Sequence, residues 1–114
     1  MNQTECKGYF GEFLAALLLI CKGYRILARR FKTPYGEIDI IAKKKNVIVF
    51  VEVKARKSMD KCFVAITQKQ LHRIQNASEI YLSTKQQFAN CDRRYDVILV
   101  ANYSFPMHIE NITG

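Results

Sequence analysis

The length of 114 residues suits one domain of about 100 to 150 residues spanning positions 1–114 and leaves no room for a second. A hydrophobic fraction of 49%, a charged fraction of 25%, only two prolines and five glycines exclude a disordered or collagen-like chain. Eighteen lysines and arginines against ten acids give a net charge of +8, which favours polyanionic partners, nucleic acid ahead of an anionic membrane surface.

From about Thr4 to Lys22, Phe10, Phe13, Leu14, Leu17, Leu18 and Cys21 recur at helical spacing, and Gly23 stands where a C-cap is expected. The apolar run within it, Phe13 to Cys21, is far short of the ~20 residues that span a bilayer. Glu5 and Glu12 before it, and no small-residue cleavage site after it, argue against a signal peptide. Tyr24 to Lys32 reads as a strand and Thr33-Pro34-Tyr35-Gly36 as a turn. Glu37 to Ala42 and Val47 to Arg56 are β-branched runs joined by Lys43-Lys44-Lys45-Asn46, the pattern of a hairpin with a charged tip. The second run is apolar on both faces from Val47 to Val51, which marks a central strand. Ser58 to Lys61 reads as a loop. Thr67 followed by Gln70 is a capping-box signature for a helix through about Leu82, with Leu71, Ile74, Ala77 and Tyr81 on its buried stripe. Tyr95 to Ala101 is a further strand, and Met107 to Ile112 a short terminal strand or tail. The order is α-β-β-β-α-β.

The four cysteines, Cys6, Cys21, Cys62 and Cys91, form no zinc-type spacing and read as small core residues of a protein from the reducing cytoplasm. His72 and His108 lack ligand-like spacing and read as structural or surface residues.

Strand alternation places Ile48, Phe50, Glu52, Lys54 and Arg56 on one face, so Glu52 and Lys54 are neighbours. If the polar stretch is an even-length loop pairing Ala42 with Val47, Asp39 lies opposite Phe50, diagonal to Glu52 at roughly 7 to 8 Å. An odd-length loop would turn Asp39 to the other face. An isolated Glu-x-Lys in an apolar strand is commonly a buried ion pair, and that reading stays open. A second carboxylate changes the balance, because one lysine does not neutralise two acids and converging oxygens suit Mg²⁺ or Mn²⁺. Such an ion would polarise a phosphodiester and acidify a bound water, with Lys54 orienting that water or stabilising the developing charge.

Asp39 followed by Glu52-Val53-Lys54 resembles the signature of the PD-(D/E)XK nucleases. The wider set Gly8-x-x-x-Glu12-x-x-Ala15, Gly23-Tyr24, Gly36-Glu37-Ile38-Asp39, Phe50 to Arg56 and Arg94-Tyr95-Asp96-Val97 is similar to the YraN-type family of uncharacterised bacterial proteins, over nearly the whole chain. That family is regarded as endonuclease-like and similar to archaeal Holliday junction resolvases. The resemblance implies a restriction-endonuclease-like α/β domain, a mixed central sheet flanked by helices, Mg²⁺-dependent cleavage of DNA ahead of RNA at branched or structured sites, and often a homodimer. Carried over by position, Asp39, Glu52 and Glu12 would bind metal and Lys54 would act on the attacking water. From helical spacing alone Glu12 falls opposite Phe10, Leu14 and Leu17, as on a solvated face. Glu37 shares a strand face with Asp39 and reads as a turn-end charge. Arg30 stands where the family usually has asparagine. Arg30, Lys32, Arg56, Lys57 and Arg73 are candidates to track a phosphate backbone, with Gln68 and Lys69 at the helix opening where superfamily members often place a polar site residue. Two rival readings are a nucleic-acid-binding module without turnover and a non-enzymatic assembly protein with a buried ion network.

Overall fold

The computed structural model describes residues 3–113, with side chains over residues 10–113. The readings that fall on Glu5, Cys6 and Gly8 concern positions outside the described side chains. The elements are α1 (Gln3–Cys21), β1 (Arg25–Thr33), β2 (Gly36–Lys44), β3 (Val47–Arg56), α2 (Met59–Val64), α3 (Gln68–Ser83), a 3-10 turn (Gln86–Phe88), β4 (Asp92–Ala101) and β5 (Met107–Ile109). The strands form one sheet in the order β1-β2-β3-β4-β5. Only β3 and β4 run parallel, joined by the α2–α3 crossover, so the sheet is mixed and flanked by helices.

Helix α1 stops where the sequence supplies a left-handed residue. Gly23 adopts φ 93°, and the amides of Gly23 and Tyr24 donate to the carbonyls of Ile20 and Leu19 at 3.0 and 2.9 Å, a Schellman closure. The helix buries Ala15, Ala16 and Leu19 against Ile40, Ala42, Val49, Val51, Ile98 and Val100. Phe10, Phe13, Leu17 and Ile20 face solvent instead, and Cys21 is exposed, whereas the sequence spacing and the cysteine reading expected Phe10, Phe13, Leu17 and Cys21 inside. The reason is steric: a Cβ added at Gly11 would lie 2.8 Å from Ala55 Cβ, so around Gly11 α1 approaches the sheet too closely for a large inward side chain. Gly11, Ala15 and Ala16 therefore take the inner face there, and Leu19 enters the core further along the helix.

On the opposite face α3 buries Leu71, Ile74, Ala77, Ser78 and Tyr81, and Ile38, Ile41, Ile48 and Phe50 meet it from the sheet. Thr67 caps α3, its hydroxyl accepting from the Gln70 amide at 3.2 Å, as the sequence suggests. The stretch from Ser58 to Lys61 is not only loop. Ser58 accepts from the Lys61 amide and opens α2, which drives Cys62 into a pocket with Val97, Leu99 and Ala101. Each fully buried Leu, Ile, Val or Phe contributes about 1.5 to 3 kcal/mol relative to exposure, so these two faces dominate the stability of the sheet. Among the described residues no helix is long and apolar enough to cross a membrane.

Candidate functional site

Strand β3 emerges from the core at Glu52, and its alternation continues through Lys54 on the side covered by α2 and α3. Lys54 Nζ donates to Glu52 Oε1 at 3.2 Å, with the lysine side chain 5% and the glutamate 17% exposed. Cys62 Sγ contacts the Lys54 carbonyl at 3.4 Å, which ties this segment of β3 to α2. The ammonium is thus held in a dry place with one carboxylate beside it.

Asp39 joins the pair through a fault in strand pairing. The β2–β3 turn contains Lys45 and Asn46 alone, because Lys44 pairs with Val47; Lys45 takes a left-handed φ of 53°. The sequence suggested pairing Ala42 with Val47; the observed pairing is displaced by two residues. Both loop lengths are even, so the face expected for Asp39 is kept, and continuing the ladder sets it opposite Glu52 rather than Phe50. The ladder itself ends at Ile40–Val51, and beyond it the Val53 amide donates to Asp39 Oδ2 at 2.8 Å. Alternation slips at this point: Ile38 and Ile41 enter the same core while Ile40 enters the other. On β1, Ala28 and Phe31 do likewise across Arg30, whose φ of 54° is left-handed. That conformation favours asparagine over arginine.

Helix α1 delivers the remaining acid. The close approach at Gly11 holds the neighbouring Glu12 against the sheet with its side chain 13% exposed, so it does not lie on a solvated face. Arg30 grips Glu12 Oε2 with Nε at 2.8 Å and Nη2 at 2.7 Å. Ligand oxygens of Glu12, Glu37 and Asp39 all lie within 4.8 Å of one another. Glu37, taken from sequence for a turn-end charge, therefore belongs to the cluster; its signal in the sequence was its two-residue spacing from Asp39. Glu52 lies outside this trio, yet near enough for its charge to act on Asp39.

The electrostatics follow from four acids that share, among the described residues, the cations of Arg30 and Lys54. Asp39 is pushed up to about 8, first by burial and then by the charge of Glu52, with smaller contributions from Glu12 and Glu37 against the opposing Val53 hydrogen bond. Burial also raises Glu52, with Glu12 and Glu37 adding to it and Lys54 opposing it. Oxygen donors in this number and spacing, short of positive charge, suit a hard divalent cation such as Mg²⁺ or Mn²⁺. Glu12, Glu37 and Asp39 are the residues that would hold it, and Glu52 stands beside them.

Residues 11–100 match the profile of the family described as "Uncharacterised protein family UPF0102". The chain belongs to the UPF0102 family. A UPF0102 protein of Bradyrhizobium sp. strain BTAi1 is 52% identical over 102 residues, covering 90% of this chain and 75% of that protein. One from Nitrobacter winogradskyi is 48% identical over 102 residues, covering 90% and 86%. One from Mesorhizobium japonicum is 45% identical over 105 residues, covering 92% and 84%.

In this UPF0102 chain the basic candidates are dispersed around the acids. Lys32 is exposed on β1, Arg56 ends β3 and Lys57 follows it, and Gln68, Lys69 and Arg73 are exposed along the first turns of α3. Arg73 lies beside the β1–β2 turn, where a Cβ on Gly36 would meet its Cδ at 4.0 Å. Gln70 reads from sequence only as part of the capping box and not as a site residue, yet its Oε1 is buried without a hydrogen-bond partner among the described residues. An unmet buried carbonyl costs about 1 to 3 kcal/mol, which sets Gln70 apart from the exposed Gln68 and Lys69. Its signal was the capping box itself, in which Gln70 occupies the third helical position.

Proposed function

We propose that this UPF0102 protein is an endonuclease of the PD-(D/E)XK kind, dependent on Mg²⁺ or Mn²⁺, that hydrolyses phosphodiester bonds of branched or structured DNA in the cytoplasm. The observation that carries the reading is the convergence of Glu12, Glu37 and Asp39 within 4.8 Å beside the buried Glu52–Lys54 pair. A structural ion network needs compensated charge, and this cluster has more carboxylates than cations.

A divalent cation, when bound, supplies charge to polarise the phosphodiester and lowers the pKa of a coordinated water. The chain's own residues do the rest. Asp39 is fixed by the Val53 amide through Oδ2, which leaves its second oxygen for a cation. Glu52 holds the Lys54 ammonium in one direction. From there Lys54 orients the attacking water and offsets the negative charge that develops on the phosphorus oxygens, in surroundings from which α2 and the sheet exclude bulk water. The +8 net charge gathers the polyanion.

The test incubates the protein with branched and linear DNA plus Mn²⁺, beside Glu52→Ala and Lys54→Ala variants checked for folding by circular dichroism. Cleavage should fall about 10²- to 10³-fold in each, the range for loss of one preorganised charge-stabilising group. Cleavage that survives both substitutions would sink the assignment. Salt-sensitive binding without any cleavage would point to a binding module instead.

A further inference from the structure

A second feature lies on the α1 side of the sheet, beyond the end of β3. A groove of about 880 Å³ opens between α1, the β3 terminus and the β4–β5 loop, and it is lined by Phe10, Tyr103 and Phe105 together with Arg56, Lys57 and Lys61. Tyr103 and Phe105 are 106% and 93% exposed and Phe10 is 62% exposed. Single exposed aromatics are ordinary, but three around one concavity form a patch that wants an occupant. Tyr103 also sits at φ 60°, a left-handed conformation uncommon for a bulky residue, in the turn that follows Ala101.

The rim identifies the occupant's charge. Three cations border the groove and, among the described residues, no carboxylate lines it, so the surface is complementary to an anion carrying flat apolar faces. Nucleobases on a phosphate backbone have that character: aromatic rings stack them without regard to sequence while cations track the phosphates. A paired duplex offers no free base faces, so the ligand is unpaired. The groove's walls include Gly11, one residue from Glu12 on α1, and Ala55, which strand alternation turns to the face of the sheet opposite Lys54.

We propose that this groove binds unpaired nucleotides of single-stranded DNA, with Phe10, Tyr103 and Phe105 stacking bases and Arg56, Lys57 and Lys61 contacting phosphates. The inference rests on the proposed function for one point, that the bound strand is the substrate; it makes the substrate a junction between duplex and single strand. Stacking itself does not depend on cleavage.

The experiment measures fluorescence anisotropy in EDTA with the full chain and three labelled probes: a short oligo(dT), a blunt duplex, and the same duplex carrying an unpaired tail. The native protein should bind the tailed duplex and the oligo(dT) at least about fivefold more tightly than the blunt duplex, the low end for one stacked base. Replacing both Tyr103→Ala and Phe105→Ala should abolish that preference and leave blunt-duplex affinity within about twofold. Tyr103→Trp with Phe105→Trp should restore it. Lys57→Ala with Lys61→Ala should weaken all probes and flatten the salt dependence. No preference for unpaired DNA, equal loss on all probes in the double alanine variant, or no rescue by tryptophan overturns the proposal. So does a double alanine variant that dissociates a dimer of this chain without altering probe preference, which would assign the face to a second copy. A protein that never cuts DNA but shows the ring-dependent preference refutes the nuclease reading and keeps the groove; one that cuts without the preference does the reverse.

Discussion

Two aspartates on the strands that flank β3, Asp39 half-buried and Asp96 fully buried, have opposite fates. Asp96 on β4 has a fully buried side chain, and donors surround it: Arg94 through Nε and Nη2 at 2.9 and 2.8 Å, His108 Nε2 at 2.8 Å and the Asn111 amide at 2.9 Å. Lys22 Nζ lies 2.6 Å from His108 Nδ1, so the lysine donates there and the histidine keeps its proton on Nε2 for Asp96. Burial alone would raise Asp96, but the bonds from His108, Arg94 and Asn111 outweigh it and hold the carboxyl at about 2. Asp39 on β2 receives the Val53 amide, stands among Glu12, Glu37 and Glu52, and is pushed up to about 8. Burial is common to both. What separates a structural carboxylate from a candidate ligand is whether the fold supplies its donors.

The largest expected effect breaks the satisfied member of the comparison. Asp96→Ala leaves Arg94 and His108 facing a void and severs the link from β4 to the segment 108–111, which should cost about 3 to 5 kcal/mol, the scale for removing one partner of a buried ion pair. Urea unfolding followed by circular dichroism measures it. A loss below about 1 kcal/mol would mean that the network is dispensable. The native protein should show the same contact through pH. Because the folded pKa of Asp96 lies below its ordinary value of 3.8, its stabilisation is complete above about pH 4 and is lost as pH falls toward 2, by about 2 kcal/mol. Asp96→Asn should remove that acid-dependent loss.

Asp39 should behave with the opposite sign. Its folded pKa of about 8 exceeds its unfolded value, so the metal-free protein becomes more stable as pH falls from about 8 toward 4. Asp39→Asn removes a charge that the fold does not compensate. It should stabilise the metal-free protein by about 1 to 2 kcal/mol at pH 8, an advantage that shrinks as pH falls and vanishes near pH 4, while lowering Mn²⁺ affinity at least tenfold. Thermal unfolding at the two pH values with EDTA, and calorimetric titration with Mn²⁺, check both halves. A destabilised Asp39→Asn protein at pH 8 would place Asp39 in the same class as Asp96.

The two regions were unequally legible in the sequence, and the difference is physical. Alternation in β3 fixed the Glu52–Lys54 pair, and Thr67 with Gln70 marked the start of α3, because each signal is local. The Asp96 network was not foreseen, since it joins residues 86 positions apart between Lys22 and His108. Helix α1 is apolar on several sides, so its spacing could not choose between the Phe10–Leu17 face and the Gly11–Ala15 face; the contact between Gly11 and Ala55 decides it. The six residues of α2 are too few for periodicity to register. Lys44 and Val47 close the hairpin more tightly than its polar sequence suggests, and the slip of alternation at Arg30 and Asp39 breaks the rule by which Glu37 would be placed.

Arg30 gives the smallest effect and the sharpest test of the comparison. It supplies to Glu12 the compensation that Asp39 lacks, through an ion pair whose side chains are 31% and 13% exposed. It does so from a left-handed backbone that costs an arginine about 1 kcal/mol more than an asparagine. Arg30→Asn relieves that strain and loses a pair worth at most about 1 kcal/mol, so stability should change by less than about 1 kcal/mol. The metal site should respond more clearly. With the guanidinium gone, Glu12 faces Asp39 and Glu37 uncompensated, and Mn²⁺ should bind about three- to tenfold more tightly, whereas Arg30→Lys should stay near the native affinity. Weaker Mn²⁺ binding in Arg30→Asn would show that Arg30 orders Glu12 as a ligand rather than competing with the cation for it. Tighter binding would mean that loading the site releases a guanidinium beside the scissile phosphate, where a positive fork has a second use.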